Sequence, residues 1–413
     1  MTRKKRAIAL AGGGPAAGLH IGALAALQEA GIEFDVFALS CIGAWVGIVY
    51  NTRPGPDRAQ QTYEFFDKYC FRDDASYEWF PINRGFATDV NALWKAWAQF
   101  PTSPDRKWDQ LVSPAAIWDS MQASLSLMGD PARWTQQEFN LWLLNDVLAV
   151  NPLTRYLTAM VFKSKINGLS KVFYKDSPVL KEVFLDNALS APGAPEVYHN
   201  AWRLPVGEAP GRMQIFHNQR QMSLGPPVET YLPITPESLC ACSALPYIEE
   251  SVFVGLDEYT EGALVDTVNF KNLLRDHPDL DEIWVNRIVD ETQVRPAKSL
   301  AESLANLPMQ FAAEVGENDI KLFRQHLLRQ TRMGPRVVEV PIVPKTGVGF
   351  EWRHSNLKQG YDEGRAAVEA LLASDSELRN GTVDDPQPSE PAPRVHQRPA
   401  TRSSAARSAS RSR

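Results

Sequence analysis

Cysteine is scarce in this chain: four residues (Cys41, Cys70, Cys240 and Cys242) among 413. So few exclude a fold stapled by disulfides, and a reducing, cytoplasmic setting is the corresponding expectation. Long apolar runs are also missing. No stretch reaches the roughly 18 uncharged apolar residues of a membrane span, so any membrane contact is expected to be peripheral. The start, Met1 to Arg6 followed by "AIALA", imitates a secretory leader, but its apolar run stops at three consecutive glycines. No small-residue cleavage site precedes a clear mature start, and the run reads as a first buried strand. No single charge dominates: the net charge of -6 gives no general reason to expect nucleic-acid binding. The Cys240-x-Cys242 pair lacks a second Cys or His cluster at ligand spacing, so buried, inert thiols are the better reading than a metal site. No metal and no cofactor is expected.

What is present is ordinary for a globular protein, with 44% hydrophobic and 22% charged residues. The first fifty residues alternate strand and helix. "AIALA" is a strand, and "GLHIGALAALQEAG" a helix with Leu19, Ala23, Ala26 and Leu27 on one face and Gly31 as its C-terminal stop. "FDVFALS" and "GAWVGIVY" repeat the pattern. A β-α-β-α start implies parallel strands, right-handed crossovers and a sheet covered on both sides. From about 60 to 215 the chain reads mostly as helices, and seven of the eleven tryptophans (Trp79, Trp94, Trp97, Trp108, Trp118, Trp134 and Trp142) lie between residues 79 and 142 of it. This is expected to be an insertion or cap whose rings fill its own core; rings turned toward a lipid or polymer surface are the alternative. "SVFVGLDEYTEGALV", "EIWVNRIV" and "RVVEVPIVP" are β-rich, and "ENDIKLFRQHLLRQTRMG" predicts a structural helix capped near Asn318. Residues 1–375 are expected to form the folded domain. Residues 376–413 lose hydrophobic periodicity and read as a disordered Pro/Ser/Arg-rich tail. Its last stretch carries six Arg and no acid, a composition able to touch RNA or anionic lipid, although a solvated tail is the stronger reading.

Chemistry concentrates near the N-terminus. In "LAGGGPAAGLHIG", Gly12, Gly13 and Gly14 follow a strand and open a helix, so their amides can face a developing oxyanion or a phosphate. The absence of G-K-[ST] argues against a P-loop, and the lack of a suitably placed acid against a dinucleotide fold. In "FALSCIGAWVG" the chain turns from strand to helix as a nucleophile elbow does. The G-x-S-x-G pattern needs small flanking residues. With Ser40 as nucleophile the flanks are Ala38 and Ile42; with Cys41 they are Leu39 and Gly43, which keeps the downstream glycine. Cys41 therefore occupies the nucleophile position, with Ser40 in reserve.

The glycine turn, the elbow and the late "SLCACSALPYIEESVFVGLDEYTEGALVDTVNF" together resemble the patatin-like phospholipase family. The resemblance implies a three-layer α/β sandwich with a mainly parallel central sheet. It also implies a Ser–Asp dyad, with the Asp in a D-G-[GA] motif, and no catalytic His. Here that motif reads Glu261-Gly262-Ala263, which makes Glu261 the proton acceptor and Asp266 the reserve acid. His20 is expected to pack or cap. Four departures stand out: Cys41 for Ser, Leu39 for Gly, Glu261 for Asp, and Pro15, Ala16 and Ala17 where a basic residue often follows the glycines. Leu39 is expected to crowd the turn, whereas the helix N-terminus is expected to favour a Cys41 thiolate.

Three functions follow from these readings. The first is acyl ester hydrolysis through an acyl-cysteine, with lipid acyl chains as the family's substrate and intracellular polyhydroxyalkanoate or its oligomers as an alternative. The second is a catalytically reduced patatin fold with a binding or regulatory role, in line with a loose likeness to bacterial patatin-domain proteins that suppress heat-shock defects. The third, a basic tail acting on nucleic acid or membrane, ranks below both.

Overall fold

The computed structural model describes residues 3–79, 87–88, 94–95, 98, 112–163, 166–167, 178–184, 188–218, 231–246, 249–289, 293–294, 296–298, 300–329, 334–341 and 348–379. The strands of the main sheet are β1 (Arg6–Leu10), β2 (Val36–Leu39), β3 (Glu196–Arg203), β4 (Arg212–His217), β5 (Leu232–Pro233), β6 (Val252–Val254), β7 (Asp257–Glu261), β8 (Glu282–Asn286) and β9 (Arg336–Glu339). The helices are α1 (Ala17–Glu29), α2 (Ile42–Thr52), α3 (Arg58–Tyr69), α4 (Asp74–Trp79), α5 (Pro114–Gly129), α6 (Gln136–Trp142), α7 (Pro152–Lys163), α8 (Pro178–Phe184), α9 (Pro236–Cys242), α10 (Phe270–Asp276), α11 (Leu300–Arg329) and α12 (His354–Ser374).

The sheet order is β9-β8-β1-β2-β3-β4-β5, with β7 paired to both β3 and β6. The five strands from β9 to β3 are mutually parallel, and β4 and β7 run antiparallel to β3. Alternation along β1 and β2 sends Ile8, Leu10, Phe37 and Leu39 into one core with α1, α2, α3, α9 and α12. Ala7, Ala9, Val36 and Ala38 face the other core, built with Phe270 and Leu273 of α10 and Ile320 and Phe323 of α11. The expected three-layer α/β sandwich is therefore the fold.

Three local expectations change. Residues 60–215 are not helical throughout, because β3 and β4 lie inside that range at the centre of the sheet. Their buried polar residues hid them. The His199 ring lies 3.0 Å from Ser238 Oγ through Nε2, and Asn200 donates to the Asp266 carbonyl at 2.7 Å, so burial there carries little penalty. Asn318 does not cap a helix, since α11 begins at Leu300 and runs through Pro308. Most described tryptophans of the helical stretch do not fill a core: Trp79, Trp118 and Trp134 are 90%, 59% and 66% exposed, whereas Trp142 is half-buried and donates to Ser124 Oγ at 2.8 Å. Trp97 and Trp108 lie outside the described residues. So does the tail from 380 to 413; its first residues, Ser376–Arg379, make a turn that buries Leu378. Among the described residues no helix is long and apolar enough to cross a membrane.

Helices α1 and α12 cross at backbone contact. A Cβ at Gly18 would overlap the Leu357 carbonyl, one at Gly22 the Tyr361 carbonyl, and one at Gly364 the Leu19 carbonyl. Each helix thus spaces two glycines four residues apart, Gly18 with Gly22 and Gly360 with Gly364, and the pair closes with no side chain between. Gly22→Ala is expected to cost about 3 kcal/mol, because the obstacle is backbone and cannot swing aside. Urea unfolding followed by circular dichroism measures it; a cost below about 1 kcal/mol would mean the helices separate freely.

Candidate active site

Cys41 sits between β2 and α2 with φ 49° and ψ -122°, a combination that side-chain-bearing residues rarely adopt and that costs on the order of 1–3 kcal/mol. Backbone bonds hold it there: Ser40 N–H donates to the Leu10 carbonyl at 3.0 Å, and Gly43 and Ala44 N–H donate to the Ser40 and Cys41 carbonyls, each at 2.9 Å. Gly43 is required by space, since a Cβ would overlap the Leu10 carbonyl. Leu39 does not crowd the turn. It is fully buried and lies against Gly47, where a Cβ would come within 2.5 Å of a Leu39 methyl. A glycine one turn into α2 makes room for the leucine before the elbow.

Ser40 points elsewhere. It is fully buried, and its hydroxyl donates to Asn200 Oδ1 at 3.0 Å and lies 3.3 Å from the Asp266 carbonyl. The Asp266 carboxylate accepts the Asn269 N–H at 2.6 Å. Ser40 and Asp266 thus brace the two loops through backbone and amide groups.

Glu261 ends β7, paired with Ala201 of β3, and its N–H donates to the Ala244 carbonyl at 3.1 Å. The next residue must be glycine because a Cβ at Gly262 would sit 2.8 Å from Asn200 Oδ1. This arrangement delivers the Glu261 carboxyl, 6% exposed, to the cavity beside Cys41, where each group acts on the other's protonation. Glu261 Oε2 is buried without a hydrogen-bond partner among the described residues. Burial, reinforced by the charge of Glu249, lifts the Glu261 carboxyl to about 7 against the opposing influence of Cys41. Burial and then the Glu261 charge push the Cys41 thiol well above its usual range. The helix N-terminus therefore does not yield a resting thiolate; desolvation and the neighbouring carboxylate outweigh it. The thiol keeps its proton beside a carboxyl that titrates near neutrality.

The glycine turn closes the third side. A Cβ at Gly12 would stand 3.3 Å from Cys41 Cβ and 3.2 Å from Ala263 Cβ; at Gly13 it would come within 2.6 Å of Ile288; Gly14 has φ +50° and faces the Phe350 ring. The three residues form a bare backbone lip beside the thiol. His20 packs beneath it, buried and bonded through Nε2 to the Ala11 carbonyl at 2.8 Å, and burial lowers it to about 4, so it is neutral. Cys70, Cys240 and Cys242 are buried thiols, all raised by desolvation.

Cys41, Glu261 and Gly12 to Gly14 share one cavity of about 90 Å³. Its other walls were not foreseen from the sequence: Ser243 and Glu249 on the loop after α9, Pro308, Met309 and Ala312 of α11, and Phe350 and Trp352 before α12. Ser243 had a readable signal in the "ACSALP" segment, and it accepts the Trp45 indole N–H at 2.9 Å. The α11 and α12 walls had none, being ordinary apolar residues far along the chain.

A positive-φ residue at a strand-to-helix turn, a buried carboxyl and a glycine turn thus lie together around one cavity. The chain belongs to the patatin-like phospholipase family, whose profile matches residues 8–274. Among solved structures it is similar to VipD from Legionella pneumophila, at 10% identity over 93% of this chain and 72% of that one, with a TM-score of 0.32. No curated protein matches the chain.

The electrostatics of the pair set an expectation for thiol reactivity. Because Cys41 is held protonated, alkylation by iodoacetamide is expected to be slow at pH 7 and to keep rising above pH 9. Glu261→Gln removes one of the charges that raise the thiol and is expected to speed alkylation at pH 8. A wild-type rate already on its plateau at pH 7 would contradict this assignment.

Proposed function

We propose that this protein hydrolyses acyl esters through a covalent acyl-cysteine intermediate. The observation that carries the reading is Cys41, held at positive φ beside the buried Glu261 carboxyl in one cavity. In acylation, Cys41 Sγ attacks the ester carbonyl as its proton passes to Glu261, and the amides of Gly12, Gly13 and Gly14 receive the oxyanion. The intermediate collapses, the C–O bond breaks, and Glu261 returns the proton to the departing alcohol. In deacylation, Glu261 takes a proton from water, hydroxide adds to the thioester, and the carboxylic acid leaves as Cys41 recovers its proton. A base of pKa about 7 suits this work at neutral pH.

The family supplies the substrate class, lipid acyl esters. The cavity at the thiol is small, about 90 Å³. That supports short acyl groups, hydroxybutyrate oligomers among them, in preference to long fatty chains. Exposed apolar side chains on α5 to α7, including Trp118, Met121, Leu125, Phe139 and Leu144, support contact with a nonpolar surface. Residues 114–157 carry four acids and two bases, which favours a neutral phase over an anionic membrane.

Hydrolysis of p-nitrophenyl esters and hydroxybutyrate oligomers tests this reading. Turnover is expected to favour four-carbon over sixteen-carbon esters. Cys41→Ala and Glu261→Gln are each expected to lose about 10²–10⁴-fold in kcat/KM, whereas Ser40→Ala keeps turnover below its unfolding temperature. Since the base acts deprotonated, kcat/KM is expected to rise as pH increases through about 7. A wild type no faster than Cys41→Ala on every ester would place the protein instead among patatin folds that bind without catalysing.

A further inference from the structure

Glu261 leads straight into a wound loop that is bonded along its length. The Gly262 carbonyl accepts the N–H groups of Val265 at 3.0 Å and Asp266 at 3.1 Å, and the Ala263 carbonyl accepts the Thr267 hydroxyl at 2.7 Å. Asn200 ties the loop to β3 through the Asp266 carbonyl. From α11, Asp319 Oδ2 accepts the Thr267 N–H at 2.9 Å. Thr267, 1% exposed, thus joins α11 through its amide to Ala263 through its hydroxyl. Ala263 stands two residues beyond Glu261, in the wall of the cavity around Cys41. Met309, Ala312, Gly316 and Asp319 are spaced three, four and three residues apart, so they share one face of α11. The first two wall that same cavity. Gly316 lets the helix close on the loop, since a Cβ there would stand 3.0 Å from Arg287 Cδ and 3.9 Å from Thr267 Cγ2. Arg287, just past β8, pairs with Glu317 of α11 at 2.9 Å. One helix face therefore shapes the cavity at one end and grips the loop of Glu261 at the other.

We propose that Asp319 is a positioning residue that, acting through Thr267, holds the loop after β7 so that the Glu261 carboxyl stays beside Cys41. The inference rests on the reading of Glu261 as the base, but it concerns only where that carboxyl is held. Asp319→Asn keeps an oxygen within reach of the Thr267 N–H. Asp319→Ala leaves that buried N–H without its acceptor and releases the loop from α11.

Alkylation of Cys41 reports the placement of Glu261 without requiring turnover, because the Glu261 charge is one of the causes that raise the thiol. Cys70, Cys240 and Cys242 are buried, and Cys41→Ser gives their background. Asp319→Ala is expected to speed iodoacetamide alkylation at pH 8 about threefold or more, the change produced when a thiol falls by about half a pKa unit. Asp319→Asn is expected to stay within about twofold of wild type. Easier access alone would speed alkylation whatever stands at position 261, so Asp319→Ala is also combined with Glu261→Gln, where no further increase is expected. Thr267→Val removes the bond to Ala263 at little change of shape and is expected to follow the same pattern; it decides the question should Asp319→Ala fail to fold by circular dichroism. Alkylation of folded Asp319→Ala at the wild-type rate, or an equal increase in the Glu261→Gln background, overturns the proposal.

Hydrolysis of p-nitrophenyl butyrate carries the test into catalysis. Asp319→Ala is expected to lower kcat about 10–10²-fold while KM moves less than about twofold, and Asp319→Asn to restore kcat. A residue serving stability alone would lower the unfolding temperature and leave kcat unchanged below it, and that result overturns the proposal. A wild type without ester turnover, with the alkylation pattern intact, overturns the catalytic reading and leaves the placement of Glu261 by Asp319 standing.

Discussion

The approach of Gly43 to the Leu10 carbonyl is the constraint on which the site depends. It brings the start of α2 down onto the end of β1, and the chain between β2 and α2 can then turn only through a residue of positive φ. That residue is Cys41. Its strain is offset by the parallel β1–β2 pairing, the Ser40 bond to Leu10 and the Leu39 contact with Gly47. The Ser40 hydroxyl ties the elbow to Asn200 on β3, and Asn200 ties β3 to the loop that follows Glu261. Cys41 and Glu261 come from opposite ends of one buried hydrogen-bonded chain, so their mutual distance is set by the sheet rather than by loop conformation.

Desolvation then decides how the pair behaves. In water a thiol beside a carboxylate would not share its proton, because the carboxylate is far the weaker base. Burial raises both groups, the thiol well above its usual range and the carboxyl to about 7, so the thiol stays protonated while the carboxyl titrates near neutrality. Gly262, the residue after Glu261, holds that strand end tightly against β3.

The opening β-α-β-α order, the sandwich, the elbow and the Glu261 segment were legible because each carries its own local signal: alternation, glycine punctuation, a strand running into a glycine turn. What escaped notice depended on long-range partners. β3 reads as polar because His199 and Asn200 are satisfied by Ser238 and Asp266, residues that come later in the sequence. Leu39 looked obstructive because its compensation, Gly47, lies one turn beyond the motif. Met309, Phe350 and Trp352 carry no mark of a site until the fold places them against the glycine turn. Ionisation escaped as well, since burial rather than residue type fixes the state of Cys41.

The contact between α1 and α12 gives the glycine turn a history. Phe350 seats against Gly14, Asn356 donates to the Pro15 carbonyl, and Gly360 and Gly364 lock α12 onto the helix that continues from the turn. All of these buttresses are synthesised after every residue of the catalytic pair and lie beyond the 8–274 region that matches the family. While the chain is still emerging from the ribosome, the elbow and Glu261 lack the support that shapes the glycine turn. The turn beside Cys41 takes its final setting only once α12 has docked.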